Sequence, residues 1–316
     1  MRWRLLAAVG AAVALACALA GQVHVEPRPR PAPKQEASRR VPNIRADTNL
    51  VLVPVTVNDP LNRPVSGLEK ENFRVFEDKV PQPISTFAMD DEPVAVGLVF
   101  DTSGSMGEKL QRSRMAAREF FRIANPEDEF FLVEFDSDPR LRVPLTSDTG
   151  SIEEQLIFSK SHGSTALLDA VYLSLHEMKR SKRNKKALLI ISDGGDNHSR
   201  YSEKEVTNVI RESNVLIYSV GVFGGGTTPE EAGGAGLLGK ISEQTGGRLF
   251  EANAAELPDI AKKIGIELRN RYILGYASQN LARDGKYHRI TVQVVPPRGL
   301  PKLSAHWRTG YNAPVE

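Results

Sequence analysis

Val94-Ala95-Val96-Gly97-Leu98-Val99-Phe100-Asp101-Thr102-Ser103-Gly104-Ser105-Met106 decides how this chain is read. Its first part, Val94 to Phe100, is an almost unbroken apolar run, as expected for a strand buried on both faces of a parallel sheet. The run ends in one carboxylate and two hydroxyls at alternate positions, on a turn that Gly104 allows to be sharp. In open α/β sheets, ligands bind beyond the carboxyl ends of the strands. Hard oxygens at this spacing suit Mg²⁺, which keeps several waters and needs few protein ligands. Ser and Asp are also the preferred helix N-caps, so this stretch alone leaves a plain capping turn as the alternative.

Working outward, Ala187 to Ile191 and Val215 to Val222 repeat the apolar pattern, and Glu129 to Phe135 is a more mixed strand. Between them lie helical spacings at i, i+3, i+4 and i+7: Ala117, Phe120, Phe121 and Ala124; Leu168, Val171, Tyr172 and Leu175; Leu257, Ile260, Ala261 and Ile264. Strands alternating with amphipathic helices predict an α/β domain over 93–270, a doubly wound, mainly parallel sheet of Rossmann-like type covered on both faces.

The flanks differ in style. Val51, Val53, Val55 and Val57 alternate along one strand, and short strands follow over Phe73–Glu77 and Ile84–Ala88, separated by a turn-rich Asp78–Pro83. Beyond the α/β region, Arg271–Ala277 and Tyr287–Val295 are β-rich, with Asp284-Gly285 as turn chemistry between them and a last strand over Leu303–Trp307. The predicted architecture is therefore an α/β domain inserted between two halves, 47–92 and 271–312, of a small β-sandwich-like domain.

Residues 1–20 read as a signal peptide cleaved after Ala20: Arg2 and Arg4 precede an apolar stretch ending in Ala18-Leu19-Ala20. Residues 21–46 form a linker in which Pro27, Pro29, Pro31, Pro33 and Pro42 are interleaved with Arg28, Arg30, Lys34, Arg39 and Arg40 and favour an extended chain. Removing Arg2 and Arg4 from 41 basic residues leaves 39 against 39 acidic ones, so the mature chain is formally neutral and no nucleic-acid partner is expected. Cys17 is the single cysteine, which excludes a disulfide scaffold and a multi-cysteine zinc site. Ala14-Leu15-Ala16-Cys17 resembles a weak lipoprotein box; lipidation there would give peripheral membrane attachment, while ordinary cleavage gives a secreted or periplasmic protein.

Two further loops bear on the metal reading. Gly163-Ser164-Thr165 opens the helix of Leu168–Leu175, and Asp193-Gly194-Gly195-Asp196-Asn197 follows the strand ending at Ile191 and Ser192. With Asp101-Thr102-Ser103-Gly104-Ser105-Met106, these resemble a von Willebrand factor type A domain with a complete metal-ion-dependent adhesion site. The resemblance implies that Ser103, Ser105 and Thr165 contact the metal and that Asp101 and Asp193 act mostly through water. Mg²⁺ is the expected ion, with Mn²⁺ or Ca²⁺ as alternatives. On the flanks, Val65-x-Gly67-Leu68 with Phe73–Asp78, Arg271–Tyr276, and Arg308-Thr309-Gly310-Tyr311 resemble the von Willebrand factor A-related family first described from acidobacteria, which implies a secreted bacterial protein.

The expected function is a non-enzymatic adhesion module whose metal takes a carboxylate from an Asp or Glu of a protein partner, with no small-molecule substrate. A metal-dependent hydrolase and a structural envelope protein with a stabilising metal are the alternatives. A serine hydrolase would need Gly-x-Ser-x-Gly, but Ser103 stands where the first glycine should be. His24, His162, His176, His198, His288 and His306 show no metal-ligand spacing. Gly234 to Lys240 spells a phosphate-loop pattern, yet Ile241 follows in place of Ser or Thr, and the stretch reads as a flexible glycine loop before a helix. The basic run Lys179–Lys186 reads as a solvated turn at a helix C-terminus, opposite the metal.

Overall fold

The computed structural model describes residues 50–90, 92–223, 229–252, 255–280, 282 and 284–315, with backbone only at 229–232. The signal-like residues 1–20, Cys17 and the proline-rich stretch read as a linker lie outside the described residues.

The chain enters on β1 (Leu50–Asn58), then β2 (Phe73–Glu77), β3 (Val80–Gln82) and β4 (Ile84–Asp90). In β1 the alternation has its expected effect: Val53, Val55 and Val57 are fully buried while Leu50 and Leu52 face outward. The α/β part follows, with β5 (Val94–Asp101), α1 (Leu110–Phe121), β6 (Glu129–Phe135), β7 (Pro139–Thr146), α2 (Thr149–Phe158), α3 (Leu167–Met178), β8 (Lys185–Ser192), α4 (Glu203–Glu212), β9 (Leu216–Val222), α5 (Pro229–Glu243), β10 (Leu249–Ala252) and α6 (Leu257–Arg269). The chain then returns through β11 (Arg271–Ala277), β12 (Tyr287–Val294), β13 (Ser304–Trp307) and β14 (Gly310–Asn312).

The central sheet has the order β10-β9-β8-β5-β6-β7, parallel except for β7, which pairs antiparallel with β6 at the edge. Alternation along β5 sorts its side chains to two cores. Val94, Val96, Leu98 and Phe100 join the layer of α1, α2 and α6; Ala95 and Val99 join that of α3, α4 and α5. This is the doubly wound α/β fold. The other strands form two antiparallel four-stranded sheets, β13-β1-β11-β4 and β14-β12-β2-β3, around a core of Val53, Val55, Phe73, Tyr272, Leu274 and Ile290, among others.

The amino ends of the central strands abut this sandwich. Asp90, closing β4, accepts from Lys185 at the start of β8 (3.1 Å) and Arg271 at the start of β11 (2.7 Å), all three buried. Lys185 thus departs from the solvated basic turn expected of its run: burial lowers its pKa, and Asp90 compensates its charge. Arg183 is likewise tied to Glu129 at 3.4 Å, whereas Lys179 and Lys182 are exposed as expected.

Two other expectations are corrected. Asp78–Pro83 is not turn alone, because β3 occupies Val80–Gln82 after a two-residue turn in which Asp78 and Lys79 both take positive φ. Gly233 and Gly234 lie inside α5, not in a loop. Pro229 can open that helix because its missing N–H would have no intrahelical partner there.

Candidate functional site

The site is built where β5 and β8 end side by side. Asp101 closes β5 and is fully buried. Its Oδ1 accepts the Ser103 backbone N–H at 2.8 Å, and its Oδ2 accepts the Ser192 hydroxyl at 2.5 Å. Burial pushes the Asp101 carboxyl up to about 6; the Ser103 and Ser192 hydrogen bonds oppose the rise, and the nearby Asp193 charge adds to it. The chain then turns through a short 3-10 segment at Gly104–Met106, which sets the Ser103 and Ser105 hydroxyls 3.2 Å apart.

Thr165 is delivered by the loop before α3. Its N–H donates to Asn197 Oδ1 at 2.9 Å, and its carbonyl accepts the N–H groups of Asn197 and His198. Asp196 Oδ1 accepts the Leu167 N–H at 3.0 Å, satisfying a free donor at the start of α3. The Gly163 carbonyl accepts the Gly104 N–H at 3.1 Å, tying the Thr165 loop to the serine turn. Asp193 follows β8, and its Oδ2 receives the Lys109 ammonium at 3.2 Å.

Gly194 must be glycine: its φ is +83°, and an added Cβ would stand 2.6 Å from the carbonyl carbon of Gly234. The same close approach accounts for Gly234 within α5, where a Cβ would meet the Gly194 backbone at 2.5 Å. Helix α5 thus packs backbone to backbone on the Asp193 loop.

Ser105, Lys109, Thr165 and Asp193 line one open cleft of about 420 Å³, with Gly234 and Leu237 of α5 on its wall. Ser103 joins it through Ser105, and Asp101 lies buried beneath the turn, so all five residues singled out in the sequence converge at one sheet edge. Sequence reasoning missed the positioning roles of Ser192, Asp196 and Asn197, and the ammonium of Lys109. The first three border the Asp193 loop in sequence; Lys109 carried no separate signal. His162 instead faces Asp136, 3.3 Å from Oδ2, and among the described residues no histidine hydrogen-bonds Ser103, Ser105 or Thr165. Lys240, from the phosphate-loop pattern, is on α5 and pairs with Glu203.

Residues 96–195 match the family model of the von Willebrand factor type A domain. An uncharacterized protein of Borreliella burgdorferi is 26% identical over 204 residues, 54% of this chain and 58% of that protein. Inter-alpha-trypsin inhibitor heavy chain H4 of Bos taurus is 23% identical over 238 residues, 69% of this chain and 25% of that protein. The chain therefore spans little more than half of the first relative's length and a quarter of the second's. Among solved structures, von Willebrand factor type A from Catenulispora acidiphila is similar at a TM-score of 0.50 and 13% identity, over 86% of this chain and 75% of that one. With the sheet order and the strand-end loops described above, the family match leads to one conclusion: residues 96–195 belong to a von Willebrand factor type A domain.

Proposed function

We propose that the chain is an exported protein-binding module that engages a partner's carboxylate through Mg²⁺ held by Ser103, Ser105 and Thr165, with Asp101 and Asp193 acting from behind. The observation that carries this reading is electrostatic. Ser105 and Thr165 line the cleft beside the Asp193 carboxylate, the Ser103 hydroxyl lies 3.2 Å from that of Ser105, and beneath them Asp101 is buried deeply enough to raise its pKa to about 6. Such a donor set suits a hard divalent cation, and neutral first ligands leave the cation charge to attract an anion. When bound, Mg²⁺ supplies an open coordination position to a partner oxygen. The chain's own residues do the rest: Ser192 and the Ser103 N–H orient Asp101, and Asn197 and Asp196 fix the Thr165 loop.

Lys109 bears on the structural-metal alternative. Its ammonium already sits on Asp193, so the chain brings a cation of its own to that carboxylate and need not rely on a metal to fold. Export rests on the signal-like residues 1–20; among the described residues no helix is long and apolar enough to cross a membrane.

The test is capture of partners from the native envelope with and without EDTA, followed by replacement of the partner's contacting Asp or Glu by Asn or Gln. The substitution should weaken binding at least tenfold, about 1.4 kcal/mol, while chelation abolishes binding and leaves circular dichroism unchanged. Equal binding in EDTA would refute the reading.

A further inference from the structure

At the other end of the central strands, in the sandwich, three residues distant in sequence meet without any role in the adhesion cleft. Glu77 ends β2, Asp78 follows in the tight turn, and His288 lies on β12. His288 Nδ1 stands 2.8 Å from Asp78 Oδ2 and 3.4 Å from Glu77 Oε1, and Asn280 Nδ2 is a further 3.4 Å neighbour of the same nitrogen. A ring nitrogen has one in-plane direction to offer, so these polar atoms cannot all be satisfied by it.

The surroundings resemble the support of a ligand set. Ser278 and Tyr311 donate hydroxyls to Glu77 Oε1, at 2.9 and 3.3 Å, and so orient the carboxylate. Glu77 itself is only 2% exposed, and its Oε2 has no hydrogen-bond partner. The hydroxyl of fully buried Tyr276 lies against the Glu77 carboxylate, and burial together with Glu77 drives its pKa upward. Asp78 is held in a left-handed conformation, φ +47°, with Oδ1 fixed by the Arg289 N–H at 2.9 Å and Oδ2 turned to the histidine. Two carboxylates meet here, that of Glu77 buried, and a cation between them would offset the cost of their charge.

We propose that Glu77, Asp78 and His288 form a second divalent-metal site, distinct from the adhesion cleft and selective for Zn²⁺. Ligands about 2.0–2.1 Å from a tetrahedral ion lie roughly 3.3 Å apart, and His288 Nδ1 already stands 3.4 Å from Glu77 and 2.8 Å from Asp78, with all three ligand atoms within 4.8 Å of one another. One imidazole with two carboxylates suits Zn²⁺ better than Mg²⁺, which favours all-oxygen octahedral surroundings. The exposed side of Asp78 gives the ion a path from solvent. No local histidine spacing announces the site because His288 lies 210 residues from Asp78 and the β2–β12 pairing unites them.

The test is calorimetric titration of Zn²⁺ into the full chain carrying Asp101→Asn, which takes the adhesion cleft out of the measurement. One equivalent should bind, and adding either Asp78→Asn or His288→Gln should weaken it at least tenfold. Co²⁺ loaded into the same Asp101→Asn chain should show the visible absorption of a four-coordinate nitrogen–oxygen site, a readout independent of how the second variants fold. Absence of a Zn²⁺ heat, octahedral Co²⁺ bands, or unchanged affinity in folded Asp78→Asn would each overturn the proposal.

Discussion

Burial holds the Asp101 carboxyl at about 6 even though Ser103 and Ser192 hydrogen-bond its anion. Between the ordinary value of 3.8 and about 6, the folded chain therefore binds more protons than the unfolded one. Metal-free stability should fall as pH rises through that window, by roughly 3 kcal/mol for a shift of this size. Asp101→Asn removes the buried charge but keeps an acceptor for the Ser103 N–H. In EDTA the variant should lack that pH dependence and be about 1–3 kcal/mol more stable than the parent near pH 8, while showing no Mg²⁺ heat. Urea denaturation across the pH range, with calorimetry, checks both halves. Lys109 acts in the opposite sense, since its ammonium on Asp193 opposes entry of a second cation. Lys109→Met should tighten Mg²⁺ binding by about tenfold, ~1.4 kcal/mol, and an unchanged or weaker Kd would refute that opposition. Asp101, Ser103 and Ser105 were legible because one turn carries all three. Lys109 was not, because its role exists only once the start of α1 lies across from the end of β8.

Among the elements, those with strong periodicity were readable and the edges were not. β5 and β9 are buried over their whole length and β8 from Ala187 onward, so continuous apolar runs marked them. β7 is not legible because Pro139 opens it and Pro144 interrupts it, which an edge strand tolerates because it lacks a partner on one side. α4 was missed although Ser202 and Glu205 form a capping box at its start, a signal that lies in the polar residues and not in the apolar spacing. Gly233 and Gly234 read as loop in the sequence, whereas both lie within α5 and Gly234 serves the contact with the Asp193 loop. That contact yields a paired prediction. Gly194→Ala combines a positive φ with a backbone clash against Gly234 and should cost about 2 kcal/mol or more, along with Mg²⁺ binding. Gly233→Ala meets nothing within 4 Å and should be neutral, or stabilising by up to about 1 kcal/mol. Thermal denaturation of the two variants, followed by Mg²⁺ calorimetry, tests the pair, and equal behaviour would mean that α5 does not set the loop.

At the scale of the whole molecule, Asp47–Glu316 forms one compact unit, and its sandwich draws on both ends of that stretch. β1 has β11 on one side and β13 on the other, β4 lies against β11, and β2 lies against β12. Every one of these pairings joins a strand from before the α/β region to one from after it. The seam is also electrostatic, because Asp90 is shared by Lys185 and Arg271, and Glu267 of α6 pairs with Arg248 at 2.8 Å while accepting Asn58 Nδ2 at 2.5 Å. Deleting residues 271–316 would strip β1 of both neighbours and uncover Val53, Val55, Val57, Phe73 and Val75, each fully buried apolar side chain being worth about 1.5–3 kcal/mol. It would also leave Asp90 and Lys185 without Arg271, removing one member of a buried ionic cluster. The one remaining hairpin, β2–β3, with β1 and β4 left unpaired, cannot form a stable sheet alone, and bare strand edges pair with other chains. The truncated protein should therefore aggregate, or stay soluble only with residues 47–92 open to protease. Limited proteolysis read by mass spectrometry distinguishes these outcomes from the opposing one, in which a soluble truncation protects 47–92 as well as the full chain does and the N-terminal strands are shown to stand without their C-terminal partners.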